Sequence, residues 1–157
     1  MESPQSGWMS LSLKAGEESL LMAASYGPYD SLRDLIESLS ALLTGSAGLT
    51  VRWNCEPEEF DFKLKARGAA DGVEFEVIRY ANHRRKQADS RIVFALRGSK
   101  LDICAPFWRA LRDLQRRVST DVFESNWKCA FPQRELQQLT RLIRDKTKDD
   151  RRREKVS

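Results

Sequence analysis

Four carboxylates, Glu56, Glu58, Glu59 and Asp61, crowd around Pro57. Paired carboxylates can divide general acid and base work, or hold a divalent cation, when their surroundings push their proton affinities apart. This cluster falls in a tight connection between two strands, where water reaches such groups. The expectation is a solvated turn, with the rim of a protein-binding surface as its functional reading. A second cluster has the opposite sign: His83, Arg84, Arg85 and Lys86 lie in sequence, with Arg79 and Arg91 on the flanking strands. Bases gathered on a hairpin tip can contact phosphates. Nucleic-acid readers usually add exposed aromatics for stacking, and here only Tyr80 is near. A solvated loop is therefore expected first, and nucleic-acid contact second.

Other reactive side chains are scattered. Cys55, Cys104 and Cys129 are an odd set at wide spacing without a Cys-x-x-Cys pair, so reduced, half-buried or buried thiols are expected. Together with His83 they could supply three thiolates and an imidazole to zinc, but no two are close enough in sequence to form a knuckle. His83 has no Gly-x-Ser-x-Gly or cysteine nucleophile motif beside it, so no triad is read. No catalytic residue, cofactor or metal is assigned. Arg109, Arg112, Arg116 and Arg117 ride beside an apolar helical stripe and can form a cationic outer face, interrupted by Asp113. Trp53, Trp108 and Trp127 fall in patterned segments and read as core, whereas Trp8 stands at an unpatterned end.

The elements that must position these groups follow from periodicity. Met9, Leu11 and Leu13 alternate with polar residues, which predicts a strand over residues 9–14 paired with residues 19–26 across Ala15-Gly16-Glu17-Glu18. After Gly27-Pro28, a cap at Asp30 or Ser31 opens a helix through Leu32, Leu35, Ile36, Leu39, Leu42 and Leu43, which stops at Gly45. Leu49, Val51, Trp53 and Cys55 then share a strand face, and Phe60, Phe62, Leu64 and Ala66 mark the next strand. A third strand runs from Val73 to about Tyr80, joined through Gly68-Ala69-Ala70-Asp71. Pairing Arg67 with Gly72 sets Lys65 against Glu74, Lys63 against Glu76, Leu64 against Phe75 and Phe62 against Val77. Charge and apolar matching agree in that register.

Residues 91–97 read as another strand with Ile92, Phe94 and Leu96 on one face. A long amphipathic helix follows through Leu101, Cys104, Phe107, Trp108, Leu111, Leu114 and Val118. Its start lies between Ser99 and Ala105, because Pro106 is costly inside a helix. Phe123 and Trp127 share one turn of a short connector, and Pro132 opens a last helix through Leu136, Leu139, Leu142 and Ile143. The order β-β-α-β-β-β-β-α-α predicts an α+β fold, an antiparallel sheet of about six strands with helices packed on one face. No Gly-rich loop leads a strand into a helix, so neither a P-loop nor a dinucleotide fold is supported.

Composition bounds the rest. A chain of 157 residues, 41% hydrophobic and 32% charged, is sized for one folded domain. The apolar runs are far too short for a transmembrane helix, and the first residues lack the basic patch and apolar block of a secretory signal, so a cytoplasmic protein is expected. The net charge is +4, yet residues 146–157 hold six bases and three acids, leaving the remainder near neutral. A single domain over 1–145 with a charged, disordered tail over 146–157 is the resulting expectation.

The helix ending Leu42-Leu43-Thr44-Gly45, the strand through Trp53 into Glu56-Pro57-Glu58-Glu59-Phe60, and the closing helix opened by Phe131-Pro132 together resemble a widespread family of small, uncharacterised bacterial α+β proteins. The similarity covers about residues 9–143, with Glu58 standing where those sequences often have glycine. The resemblance implies a small cytosolic domain and, for some members, an immunity protein that neutralises a neighbour-delivered toxin. It carries over no catalytic residue. A non-enzymatic protein-binding domain, with a toxin among its expected partners, is thus read first. A weak nucleic-acid binder using the 83–86 loop and the C-terminal tail is read second.

Overall fold

The computed structural model describes residues 1–68 and 71–155. Its elements are β1 (Trp8–Ala15), β2 (Glu18–Ser25), α1 (Ser31–Leu43), β3 (Gly48–Cys55), β4 (Glu58–Arg67), β5 (Gly72–Tyr80), β6 (Ser90–Ser99), α2 (Lys100–Arg117), α3 (Thr120–Trp127) and α4 (Gln133–Glu154). The six strands form an open antiparallel sheet in the order β1-β2-β3-β4-β5-β6. The fold is α+β, as the alternation of periods predicts.

The strand faces divide as the pleat requires. Val51, Trp53, Phe60, Phe62, Leu64, Val73, Phe75 and Val77 are buried, and α1 and α2 pack against β3, β5 and β6. An aromatic chain fixes this layer: Phe62 lies 5.4 Å from both Trp53 and Phe75, and Phe107 of α2 is 5.5 Å from Phe75 in an edge-on arrangement. Offset and edge-on ring pairs of this kind add to the burial of apolar area. A second aromatic group, Phe123, Trp127 and Phe131, secures α3 and the entry to α4.

Hairpin registers follow the sequence closely. β4 and β5 pair Arg67 with Gly72, Lys65 with Glu74, Lys63 with Glu76, Leu64 with Phe75 and Phe62 with Val77. Between these two strands the ion pairs, however, run along diagonals, Lys65 Nζ to Glu76 at 2.8 Å and Arg67 to Glu74, while Arg97 of β6 bonds Glu74 from directly opposite it. Long side chains reach diagonal neighbours as readily as opposite ones. Two residues of the expected connecting turn, Ala69 and Ala70, lie outside the described residues.

The β1–β2 hairpin pairs with β3 at a single described position, Ser25 with Asn54, and β2 then approaches β6. Strand twist carries a hairpin away from its neighbour once pairing stops.

Four readings change. A bulge between Val77 and Ile78 breaks the alternation of β6, so Ile92 pairs Ile78 and points outward, 56% exposed, while Phe94 stays buried. One added residue flips every side chain on one side of it. The connector holding Phe123 and Trp127 is a full helix, α3, so three helices follow β6 where two were expected.

Helix α4 continues past the expected boundary at 145 to Glu154, because Lys, Arg and Glu sustain a helix after its apolar stripe ends. Lys146 ties it to Asp71 at 3.0 Å and to Asp150 at 2.8 Å. Pro106 lies inside α2, which starts at Lys100. A capping box secures that start: Ser99 Oγ accepts from the Asp102 amide, and Asp102 accepts from the Ser99 amide. Trp108, read as core, is half-buried, and Trp8 is exposed.

Candidate anion-binding surface

The two charged clusters of the sequence turn out to be partners. Glu59 and Asp61 lie in β4 on the sheet face away from the helices, opposite Tyr80 and Ile78 of β5. The chain between β5 and β6 folds back over this face. Asn82 starts a turn by accepting from the Arg84 amide through its side chain and from the Arg85 amide through its carbonyl, both at 3.0 Å. Arg85 then adopts the left-handed region, φ 51°. Its guanidinium lies 4.2 Å from the centre of the Tyr80 ring, donates to Glu59 Oε2 at 2.6 Å, and donates to Asp61 Oδ1. Tyr29 donates its hydroxyl to Glu59 Oε1 at 3.1 Å. Burial and the Glu59 charge both hold the Tyr29 phenol above its ordinary range.

The expectation of a solvated acidic turn is therefore corrected for two residues: Glu59 is 3% and Asp61 4% exposed. The reason is register, which aims them at a face the 81–89 connection covers. Glu58 is ion-paired to Arg79. Only Glu56 remains an exposed acid of the four, with Oε1 3.3 Å from Asn54 Nδ2. Among the basic candidates, Arg79 and Arg85 are thus taken up by the acids, while His83, Arg84, Lys86 and Arg91 remain exposed.

The thiols are dispersed. Burial, followed by the Glu59 charge, pushes Cys55 up to about 12, and burial pushes Cys104 in α2 up to about 12. Cys129 is raised by burial too. Among the described residues, no three His, Cys, Asp or Glu side chains gather as a metal site.

A different surface carries unpaired charge. Arg112 and Gln115 of α2 face Gln137, Thr140, Arg141 and Arg144 of α4 across a groove floored by Leu136. Trp108 Nε1 donates to Thr140 Oγ1 at 2.9 Å, which in turn donates to the Leu136 carbonyl at 2.8 Å, locking the two helices together. The Arg112 guanidinium lies 5.5 Å from the centre of the Trp108 ring. No carboxylate lines this groove, and among the described residues none forms an ion pair with Arg112, Arg141 or Arg144.

The charge of the molecule is polarised accordingly. Helix α2 holds five bases and two acids, and α4 eight and five. The two helices therefore exceed the +4 of the whole chain, and the rest is net negative.

Sequence reading picked out Arg109, Arg112, Arg116 and Arg117 but missed that α4 completes the surface. The signal was present as a period of three to four in the basic and amide side chains of α4, in Arg134, Gln137, Arg141, Arg144 and Lys148. No protein-family model matches the chain, and no curated protein or solved structure matches it.

Proposed function

We propose that the protein is a non-enzymatic binding domain whose partner presents clustered negative charge to the groove between α2 and α4. The observation that carries this reading is the groove lining: Arg112, Arg141 and Arg144 converge with two glutamine amides and no acid. Guanidinium groups donate in a planar fork that matches carboxylates and phosphates, and unpaired ones offer that capacity to a partner. The charges of the sheet face contribute less, because Arg85, Glu59 and Asp61 satisfy one another there.

A protein partner would bring an acidic patch and bury about 1,000 Å² or more. A toxin neutralised by the domain is the special case that the family resemblance implies. The competing partner is a nucleic acid, favoured by the continuation of the basic face along α4 beyond the groove.

Affinity capture from a lysate, with and without nuclease, tests the reading against a charge-reversed variant, Arg112→Glu/Arg141→Glu/Arg144→Glu. An acidic protein retained by the wild type after nuclease treatment and lost by the variant supports a protein partner. Nuclease-sensitive capture lost by the variant supports a nucleic acid. Equal capture by both forms would remove the groove from the interaction.

A further inference from the structure

We infer that the groove between α2 and α4 binds the phosphate backbone of a nucleic acid without reading base sequence, an inference that rests on the groove being the binding surface. Helix α4 spans 22 residues. Along it Arg141, Arg144, Lys148 and Arg151 recur every three or four positions, so they share one face with a rise of about 15 Å from first to last. All four are exposed. No acid of the helix falls between them on that face: Asp145, four residues after Arg141, borders it on one side, Asp149 lies further round, and Asp150 is held by Lys146 at 2.8 Å.

Arg112 adds a fifth base from α2 at the groove end. A row of evenly spaced cations without an interposed carboxylate suits a polymer whose charges also repeat regularly, about every 3.4 Å of axis per strand. The acids on a folded protein's surface need not repeat in this way, so the row favours the polymer. The polarity of the molecule, positive at α2 and α4 and negative elsewhere, would orient a polyanion to this side during approach.

Base recognition is not part of the geometry. The Trp108 ring has Arg112 over it and its nitrogen engaged by Thr140. With no free ring at the groove for stacking, the contacts available are to phosphate, and these position a nucleic acid without specifying sequence.

Fluorescence anisotropy of the full chain tests this, with labelled duplex DNA, duplex RNA and single-stranded RNA of mixed sequence, beside a polyglutamate peptide and phosphatidylserine vesicles. The expected result is binding to at least one nucleic acid with little dependence on sequence. For a duplex contacted by all five bases, the slope of log affinity against log salt is about −4 to −5. Arg141→Gln/Arg144→Gln weakens that binding at least about ten-fold and flattens the slope by about 2, with helicity by circular dichroism unchanged.

Arg84→Gln/Arg91→Gln on the β5–β6 connection leaves the affinity within about two-fold. Binding that survives the α4 variant and is lost in the loop variant overturns the inference. So does binding of polyglutamate or vesicles alone; polyglutamate binding lost in the α4 variant leaves the groove standing as an anion site. Failure of every polyanion overturns both.

Discussion

Arg85 joins segments 24 and 26 residues apart, bonding Asp61 and Glu59 from a backbone conformation that few side chains adopt. Its value to the fold lies in what its absence would leave behind, two carboxylates that are 3% and 4% exposed. Breaking a buried ion cluster by removing one member costs far more than the cluster contributes relative to a neutral replacement. Arg85→Ala is expected to lower stability by about 3 kcal/mol in urea unfolding. The triple variant Arg85→Met/Glu59→Gln/Asp61→Asn should recover most of that loss, because no charge remains buried. A triple variant as unstable as Arg85→Ala would show that packing, not charge, holds the loop. The same scale governs the thiols: with Cys104 raised to about 12 by burial, thiol labelling of the native protein near neutral pH should leave it unmodified until denaturant is added.

At the scale of elements, the bulge in β6 decides which side chains the strand contributes. Ile92→Lys should change the unfolding midpoint little, since Ile92 is 56% exposed, whereas Phe94, 4% exposed, sits against Phe75. Phe94→Ala is expected to cost about 3–5 kcal/mol, and equal losses at both positions would contradict the bulge. The start of α2 offers a pH test. Hydrogen bonds donated by Ser99, from its backbone amide first and its hydroxyl second, hold the Asp102 carboxyl below its usual range. A depressed folded value means that the contribution is complete above the ordinary carboxylate range and is lost as pH falls through the folded value. Ser99→Ala should therefore cost about 1 kcal/mol near neutrality, and the gap to the wild type should shrink in acid, as read from denaturant midpoints. The register of β4 and β5 was legible because two faces imposed independent rules on one alignment. The bulge was not, because an inserted residue leaves the composition of a strand unchanged.

Across the whole molecule, positive charge collects on α2 and α4 while the remainder is net negative. The C-terminal bases belong to this distribution, since α4 runs through Glu154 and Lys146 pairs with Asp71 at 3.0 Å. Truncation after Asp145 removes the end of that helix but none of its buried residues, Leu136, Leu139 and Ile143. The shortened chain should still unfold cooperatively, lose helical ellipticity, and lose about 1 kcal/mol or less from the severed Lys146 pair. Failure to fold would mean that the last turns of α4 carry more of the structure than this one bridge.

The sequence by itself determined the α+β class, the β1–β2 and β4–β5 hairpin registers and the apolar faces other than that of β6, because period and pairing are local properties written in neighbouring residues. It also marked the bases of α2, Arg109, Arg112, Arg116 and Arg117, but not Arg141 and Arg144 of α4, which complete the surface. Which charges neutralise each other was decided only by tertiary structure: Arg85 closes on Glu59 and Asp61, whereas Arg112, Arg141 and Arg144 meet no acid. Electrostatic energy falls with distance in space and not with separation in sequence. Members of two clusters that looked free in the chain, Arg79 and Arg85 with Glu58, Glu59 and Asp61, are therefore paired in the fold, and scattered arginines add to its exposed charge.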